Sequence, residues 1–582
     1  MSSTRAGLFA WASYSSESGS EYIPQKVAIR DCLFLFSILL LSGLSYVNRL
    51  GFYADDWYVW SAFHGASDRS LGGLLRALPL SGSLLDGLGV RPAQTLYQAL
   101  TYSSFGLHPL PYHLLNTLVL AGVAVLFYAS LRELRLPHCI TLVVPLVYGF
   151  LPHYATDRFW VAAHQAVLSQ ALFFFGLFAA LRAMRSSREF SLFLKAVSIL
   201  SFALALLFYE AIVGLLPAAF LLIGYRIYTK SLGNLVKRRG LIWSGCGYLL
   251  VGVILLGSIL LYKSRFTNRV NFPSQHSSSP HIGDLVWTAV NMTVRFNVLH
   301  YGAGLPRVAF ALYRFTGQDV WSAIAAGVIA ITVLLYLDWT LKRSQSAFLS
   351  NDGALYLIAL GLVMFLLDYV PFFVLSTNFS YDGMSNRVTI ASAIGAAFVL
   401  AGGAMLLIRA TVPTKFQSLS VCGAIAAICA LNYVCIASFA NCWAKADVEQ
   451  RGLISDVRND VSLPPGSTLL LDGFCRYVGP APVFENAADV GGALRIAYRD
   501  HTLQADVVSP TLEISDSAIR TTSYGVANRY VYGEGLWLYN VRRKFTLQLT
   551  DSHVARSYFR TMNPDKNSGC PIGIEGLGSP TS

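Results

Sequence analysis

The feature that most constrains the fold of this 582-residue chain is the recurrence of long apolar runs through its first three quarters. Hydrophobic residues make up 54% of the sequence and charged residues only 13%, and the mean hydropathy is +0.50. A helix that crosses a bilayer needs about 17 to 25 predominantly apolar residues. Runs of that length predict about eleven membrane-spanning helices. The sequence therefore predicts a polytopic α-helical membrane protein.

The predicted spans and the connectors between them also predict an orientation. The spans lie near residues 31–48, 113–131, 138–152, 165–183, 191–208, 211–227, 241–262, 319–338, 353–374, 388–408 and 417–441. Lys and Arg are concentrated in alternate short connectors, and such connectors stay on the cytoplasmic side. The N-terminus is therefore predicted to be cytoplasmic, whereas the loops 48–112 and 263–318 and the chain from about 443 are external. The net charge of +12 lies mainly in connectors, so we predict no nucleic-acid partner.

The chain divides into four parts. Residues 1–30 form a cytoplasmic N-terminal segment, and residues 31–442 form the membrane domain, which includes the large first loop, 48–112. Residues 443–562 lose the long apolar runs and predict a small external α/β or β-rich domain. Its strand-like runs lie near 467–471, 505–508, 530–532, 536–541 and 545–549. Residues 563–582, rich in Gly, Pro and Ser, are predicted to be disordered.

Two cysteines, Cys475 and Cys570, lie in the external part. They are able to form a disulfide if that part faces an oxidising compartment, but the sequence leaves open whether they pair. The compact loops favour a bacterial inner membrane over the endoplasmic reticulum as the location of the protein.

The first loop opens with two adjacent carboxylates, Asp55 and Asp56, directly after the first apolar run. Trp57 and Tyr58 follow them, and their rings could stack on a sugar or simply pack at the membrane surface. Four leucines further along recur at helical spacing, namely Leu71, Leu74, Leu75 and Leu78. They predict an amphipathic helix at the interface, which could form a floor beside the carboxylates or be an ordinary loop helix.

The order of motifs along the first part of the chain resembles that of a known family. The acidic pair is followed by four motifs: Arg91-Pro92, Gly106-Leu-His-Pro-Leu-Pro-Tyr-His-Leu-Leu-Asn116, Leu151-Pro-His-Tyr-Ala-Thr-Asp-Arg-Phe-Trp160 and Tyr209-Glu-Ala-Ile-Val-Gly-Leu-Leu-Pro217. Together they resemble the GT-C superfamily of membrane glycosyltransferases, in particular the protein O-mannosyltransferases and the bacterial lipid A aminoarabinose transferases. The resemblance covers roughly the first 220 residues.

The resemblance implies an inverting transfer of a sugar from a polyprenyl-phosphate donor to a hydroxyl acceptor on the external side. One acidic residue of the first loop would act as the general base; Asp55 is favoured, but the choice between Asp55 and Asp56 stays open. His113 and Asn116 would bind the donor or would only pack and cap their helix. Arg91 and Glu210 would line the donor cavity. The external carboxylates could bind a divalent metal, but the resemblance implies no metal and no cofactor.

The chemistry of such a transfer calls for the same residue types. A hydroxyl group is a poor nucleophile at neutral pH, and a positioned carboxylate that takes its proton accelerates attack by about 10² to 10⁴-fold. A phosphate leaving group needs cations rather than a second acid, and the candidates are Arg387, Arg158, Lys263 and Arg265. Proximity to lipid raises the pKa of a carboxylate unless a cation compensates. A base at Asp55 therefore predicts a basic partner nearby.

Two other functions stay open at the level of sequence. A polysaccharide polymerase or ligase that uses lipid-diphosphate donors would need more basic residues on the external face than this sequence has. A transporter or flippase of lipid-linked sugars would show interrupted helices near the membrane midplane and an internal repeat, and the sequence shows no repeat. The motifs of P-loop nucleotide hydrolysis, HExxH zinc proteolysis and paired-CxxC redox chemistry are absent from the sequence.

Overall fold

A computed structural model describes residues 23–77, 91–232, 238–267, 320–344, 351–374, 383–508, 512–523 and 526–562, with isolated positions between 283 and 311. Residues 1–22 of the predicted N-terminal segment lie outside the described residues, as does most of the predicted external loop at 263–318. The predicted disordered tail at 563–582 also lies outside them.

Helices make up most of the described chain. In order they are α1 (Gln25–Leu44), α2 (Asp55–His64), α3 (Leu71–Ala77), α4 (Pro92–Phe105), α5 (Pro109–Glu133), α6 (His138–Phe150), α7 (Thr156–Phe159), α8 (His164–Ala183), α9 (Arg188–Phe208), α10 (Leu215–Leu232), α11 (Arg238–Thr267), α12 (Val320–Ser344), α13 (Asn351–Val374), α14 (Ser392–Thr411), α15 (Thr414–Asp460), α16 (Ala487–Tyr498) and α17 (Ser552–Met562). Short 3-10 segments interrupt the chain at Pro152–Tyr154, Glu210–Gly214 and Met384–Thr389.

The prediction of a multi-pass helical membrane protein is confirmed. Within the described residues, ten helices are long and apolar enough to cross a membrane, namely α1, α5 and α8 to α15. The predicted span near 138–152 corresponds to α6, which has 13 residues, all of them buried. A helix of that length extends about 20 Å, less than the ~30 Å of a bilayer core. α6 packs instead against α5, α14 and α15 as an apolar core helix.

The first loop contains the predicted leucine helix as α3, which has seven residues. Leu74 is fully buried, and Leu71 and Leu75 pack against the same aromatic cluster, which includes Trp60 and Phe63 of α2. Leu78 lies outside the described residues. The spacing therefore marks a helix that packs on the rest of the first loop.

A single helix joins the membrane part to the C-terminal part. α15 has 47 residues, of which about 20 suffice to cross a bilayer. Beyond the apolar stretch, its buried face continues through Trp443, Gln450 and Val457. The boundary predicted at 442/443 lies inside this helix, so continuous helix, and no linker, connects the two parts.

The C-terminal part, residues 443–562, contains strands, as the sequence predicts. They are β1 (Thr468–Asp472), β2 (Tyr477–Val478), β3 (Ala481–Pro482), β4 (Gln504–Val507), β5 (Glu513–Ile514), β6 (Ala518–Ser523), β7 (Val526–Val531), β8 (Leu536–Asn540) and β9 (Phe545–Gln548). One sheet has the order β4-β1-β8-β9, in which β1 is parallel to β4 and β8, and β9 is antiparallel to β8. A second sheet, β5-β6-β7, is antiparallel. Cys475 is disulfide-bonded, and Cys570 lies outside the described residues.

The C-terminal part rests directly on the first loop. α16 packs against α2, and an added Cβ on Gly492 would lie 2.4 Å from the Trp57 carbonyl oxygen. Trp57 Nε1 donates to Gln450 Oε1 at 3.4 Å, and Gln450 Nε2 donates to the Val483 carbonyl at 2.6 Å. The helix that carries the acidic pair is thus fixed against the C-terminal part.

Replacing Gly492 with Ala is expected to lower the melting temperature, because the new methyl group would overlap the backbone of α2. Overpacking of this kind costs about 1 to 3 kcal/mol. The matched control is Gly491→Ala on the same helix, where the added Cβ would lie 3.5 Å from the nearest atom, the Ala505 carbonyl oxygen. The control should keep or raise the melting temperature. Equal melting temperatures for the two variants would contradict the close approach of α16 to α2.

Candidate active site

A tight turn before α2 sets the direction of the acidic pair. Ala54 has φ +46°, a conformation that non-glycine residues adopt rarely and that is commonly retained at functional sites. The turn is anchored through Tyr53, whose hydroxyl donates to the Trp443 carbonyl at 2.7 Å and whose carbonyl accepts from Trp160 Nε1 at 2.9 Å. The start of α2 is therefore held from two sides.

The two adjacent carboxylates have different surroundings. Asp56 is completely buried and accepts hydrogen bonds from the backbone N–H groups of Tyr53 at 3.0 Å and Ala162 at 2.7 Å. Burial raises the pKa of Asp56 well above its usual range, and these two hydrogen bonds oppose the shift. Both oxygens of Asp56 are thus used to hold the loop together.

Asp55, by contrast, is exposed at the start of α2. Among the described residues, no hydrogen bond and no ion pair within 4.0 Å engages its carboxylate. The surrounding protein removes part of its hydration and raises the pKa of Asp55, while the charges of Arg387 and Arg91 oppose the shift. Asp55 therefore has the basic neighbours that the sequence analysis predicted and keeps its oxygens available.

Arg387 is positioned by a 3-10 turn that is tied to a distant segment. Its guanidinium lies 4.8 Å from the centre of the Trp160 ring, and its Nη1 donates to the Met384 carbonyl at 3.1 Å. In the same turn, Asn386 Oδ1 accepts from the Thr156 N–H at 3.1 Å. The cation is therefore fixed over an aromatic face.

A second group of charges surrounds Glu210, which lies in the break between α9 and α10. Arg91 forms an ion pair with Glu210, and Lys263 Nζ lies 2.9 Å from Glu210 Oε2. The Arg91 guanidinium also lies 4.6 Å from the centre of the Tyr209 ring. Burial disfavours the charged form of Arg91, but the charge of Glu210, its hydrogen bond to Arg91 and the smaller effects of Tyr209 and Asp55 together outweigh burial and raise the pKa of Arg91. Arg91 thus connects the Glu210 group to Asp55.

Asp157 and Arg158 do not form an ion pair with each other within 4.0 Å in the described structure. Arg158 Nη2 donates to the Gly149 carbonyl at 2.7 Å, and its guanidinium lies 4.8 Å from the centre of the Tyr154 ring. Neither oxygen of the buried Asp157 carboxylate has a hydrogen-bond partner in the part of the chain that the structure describes. Burial raises the pKa of Asp157 well above its usual range, and Arg387 opposes this more strongly than Arg158 does. Arg387 therefore acts on both Asp55 and Asp157.

The remaining predicted residues lie behind or beside these groups. His113 Nε2 lies 2.9 Å from the Gly51 carbonyl oxygen, and Asn116 Nδ2 donates to the Asp157 carbonyl at 2.7 Å. Both are buried and support the backbone next to the acids. Tyr58 lies on the side of α2 that faces a hollow, whereas Trp57 binds Gln450. The side chain of Arg265 lies outside the described residues.

Three residues that contribute to the candidate site were not predicted from the sequence. Trp160 and Tyr209 each lie under an arginine, and the Asp157 carboxylate lies near Arg387 without a hydrogen bond to any described residue. Trp160 and Tyr209 stand inside quoted motifs, so their position in the motif was the available signal. Within the described residues, no group of three or more His, Cys, Asp or Glu side chains is arranged to hold a metal ion.

No protein-family model matches this chain, and no curated protein matches its sequence. The fold defines a multi-pass helical membrane protein with a strand-containing C-terminal part.

Proposed function

We propose that this protein is an inverting glycosyltransferase of the GT-C type that moves a sugar from a polyprenyl-phosphate donor to a hydroxyl acceptor. The observation that carries the proposal is the contrast between the two acids. Asp56 is buried and bound by two backbone N–H groups, whereas Asp55 is exposed, near two guanidinium groups and without a hydrogen bond to any described residue. An available carboxylate is what a general base requires.

In the proposed reaction, the acceptor hydroxyl attacks the anomeric carbon of the donor from the face opposite to the phosphate. The new bond joins the acceptor oxygen to the anomeric carbon, the bond from that carbon to the phosphate oxygen breaks, and Asp55 takes the hydroxyl proton. The phosphate oxygen keeps the bonding electron pair, and polyprenyl phosphate is the leaving group. A single displacement of this kind inverts the anomeric centre.

Arg387 supplies positive charge for the leaving phosphate. It is held over Trp160 and acts electrostatically on Asp55, so it lies near the proposed base. Arg91 is tied to Glu210, which in turn binds Lys263. We assign Arg387 to the phosphate and the Arg91, Glu210 and Lys263 group to the wall of the donor cavity.

We further propose that the site faces the external side of a bacterial inner membrane and that the N-terminus is cytoplasmic. The first loop packs against the C-terminal part, so both lie on the same side of the membrane. The disulfide of Cys475 favours an oxidising compartment for that side. The concentration of Lys and Arg in alternate connectors supports the same orientation.

Transfer is expected to fall as the pH falls through the pKa of Asp55, because the base acts only when deprotonated. The surroundings raise this pKa above its usual value of about 3.9, so the acid limb of kcat/KM should lie above that pH. In Arg387→Gln the limb should move to still higher pH, since one of the opposing charges is lost. Measuring kcat/KM between about pH 4 and pH 8 tests this. An acid limb that stays in place or moves to lower pH in Arg387→Gln would contradict the proposed proximity of Arg387 to Asp55.

The proposed activity is tested with purified protein in nanodiscs that contain a polyprenyl-phosphate sugar and a pool of hydroxyl acceptors. We expect free polyprenyl phosphate and a glycosylated product of inverted anomeric configuration, measured by mass spectrometry and NMR. A product extended by many sugar units would indicate a polymerase instead. Movement of intact donor across the bilayer without product would indicate a flippase.

A further inference from the structure

A hollow of about 430 Å³ lies between the first loop and the C-terminal part. Its walls come from α2, α3 and the C-terminal end of α16 with the turn that follows it. The residues that line it include Tyr58, Ala62, Gly65, Arg76, Arg495 and His501. An added Cβ on Gly65 would lie 2.6 Å from the His501 ring, so the two walls meet at this point.

The hollow and Asp55 share one face of α2. Residues three, four and seven positions apart lie on the same side of a helix, so Tyr58 and Ala62 follow Asp55 along this face. Asp55, Tyr58, Ala62 and Gly65 are all at least partly exposed, whereas Asp56, Val59, Trp60 and Phe63 are buried. At 1.5 Å per residue, Ala62 lies about 10 Å along the helix from Asp55. A chain-like molecule in the hollow would therefore point along α2 towards Asp55.

The surroundings of the hollow are rich in guanidinium groups. Arg76 and Arg495 line it, and Arg495 Nε donates to the Leu503 carbonyl at 2.8 Å, which holds that side chain in place. Arg69 and Arg499 are exposed nearby. Burial is the largest cause of the lowered pKa of His64, and the charges of Arg69, His501 and Arg499 lower it further. Two guanidinium groups thus line the hollow, and two more lie close enough to His64, the neighbour of the lining residue Gly65, to act on it electrostatically.

The acidic groups beside them are already engaged. Asp68 binds Arg76 at 2.9 Å and accepts from the Ser70 N–H. Asp500 accepts from the N–H and hydroxyl of Thr502 at 2.8 and 2.6 Å. Among the described residues, two carboxylates against four guanidinium groups leave this region with an excess of positive charge.

We propose that this hollow binds the acceptor and that the acceptor is an anionic glycan. The inference rests on the proposed glycosyltransferase function and adds the class of its second substrate. A hollow of about 430 Å³ suits a few sugar units rather than a protein surface. Tyr58 supplies an aromatic wall of the kind that packs against sugar rings, and the guanidinium groups supply partners for carboxylate or phosphate substituents.

The test is equilibrium binding without donor, with the full chain in nanodiscs. The probes are a short oligogalacturonate and a neutral oligogalactose of the same length. We expect the acidic probe to bind about ten-fold or more tightly than the neutral one, with the preference weakening as salt is added. Arg76→Gln combined with Arg499→Gln should remove the preference. Equal binding of the two probes, or an unchanged preference in the double variant, would overturn the proposal.

The matched control is Arg520→Gln combined with Arg529→Gln. These two arginines are exposed on a different surface of the C-terminal part, the β5-β6-β7 sheet, so their loss changes the net charge equally. The control should retain the preference; its loss there would show that net charge alone drives binding and would overturn the proposal. Displacement of the acidic glycan by polyglutamate at equal charge concentration would replace the glycan with an acidic protein segment as the occupant.

The binding test is independent of catalysis. Asp55→Asn should still bind the acidic glycan like the unmodified protein, because Asp55 lies outside the lining of the hollow. If binding behaves as expected but Asp55→Asn still transfers sugar, the proposed base is wrong and the binding site stands. If Asp55→Asn loses transfer but the acidic glycan does not bind, the base stands and the acceptor proposal is wrong.

Discussion

Replacing Asp55 with Asn is expected to reduce sugar transfer by about 10² to 10⁴-fold, because the acceptor hydroxyl loses the group that takes its proton. The substitution keeps the size of the side chain, and the Asp55 carboxylate makes no hydrogen bond to the described residues. Its removal should therefore leave the melting temperature nearly unchanged. Initial rates with saturating donor, together with thermal unfolding, measure both effects. Full activity in this variant would exclude Asp55 as the base.

Asp56→Asn is the contrasting variant at the neighbouring position. Asn has one acceptor oxygen, so one of the two backbone N–H groups that now donate to Asp56 would face an amide NH₂. A buried polar group without a partner costs about 1 to 3 kcal/mol, so this variant should unfold at a lower temperature. The opposite pattern, with stability lost in Asp55→Asn and activity lost only in Asp56→Asn, would exchange the roles of the two acids.

Replacing Arg387 with Ala is expected to lower kcat by about 10² to 10³-fold, the range measured when one donor that stabilises developing negative charge is removed. The physical reason is that the leaving phosphate oxygen gains charge as the glycosidic bond breaks, and the charge of Arg387 acts on Asp55 more strongly than that of Arg91. Arg387→Lys should recover part of the rate, because Lys retains the charge but lacks the planar guanidinium. Rates within a factor of a few of the unmodified protein for Arg387→Ala would contradict the assignment.

The matched control for Arg387→Ala is Arg343→Ala. The Arg343 guanidinium lies 4.6 Å from the centre of the Trp339 ring, so this arginine makes the same kind of cation–π contact as Arg387 does with Trp160. It lies in the last turn of α12, whereas the charges that act on Asp55 are those of Arg387 and Arg91. A rate loss in Arg387→Ala that Arg343→Ala shares would indicate a general loss of structure rather than a lost contact to phosphate.

The membrane part could be predicted from the sequence because lipid contact requires long apolar runs. The same criterion does not show that the helix continues past residue 442. Beyond residue 442, α15 continues with a buried stripe that includes Ala446, Leu453 and Val457, while its other faces carry charge. Average hydropathy detects helices that are apolar on all sides. It does not detect an amphipathic helix that continues into water, because only one face of such a helix is apolar. The same reasoning explains α6, whose apolar residues face protein.

The strands of the main sheet could also be predicted, since β1 and β8 are nearly continuous apolar runs. β6 was missed because Arg520 and Thr522 occupy its exposed face, and the run lacks continuous hydrophobicity. An antiparallel strand with one solvent-exposed face shows only a short alternation of apolar and polar residues. Turns and loops also produce such an alternation by chance.

The residue types of the candidate site could be predicted, but their grouping could not. Arg91 and Glu210 are 119 positions apart, and the N–H group that binds Asp56 comes from Ala162, 106 positions away. Such distant partners, and the side of α2 on which each residue lies, decide which of the two adjacent acids keeps a carboxylate free to act as a base. Sequence spacing carries no information on contacts of that kind.

We propose that Asp55 and Arg387 receive the donor between them, and a cryo-electron microscopy map of the protein with a bound polyprenyl-phosphate sugar is the sharpest test. We expect phosphate density in contact with the Arg387 guanidinium and sugar density beside the Asp55 carboxylate. A donor whose phosphate and sugar both lie away from these two side chains would contradict it.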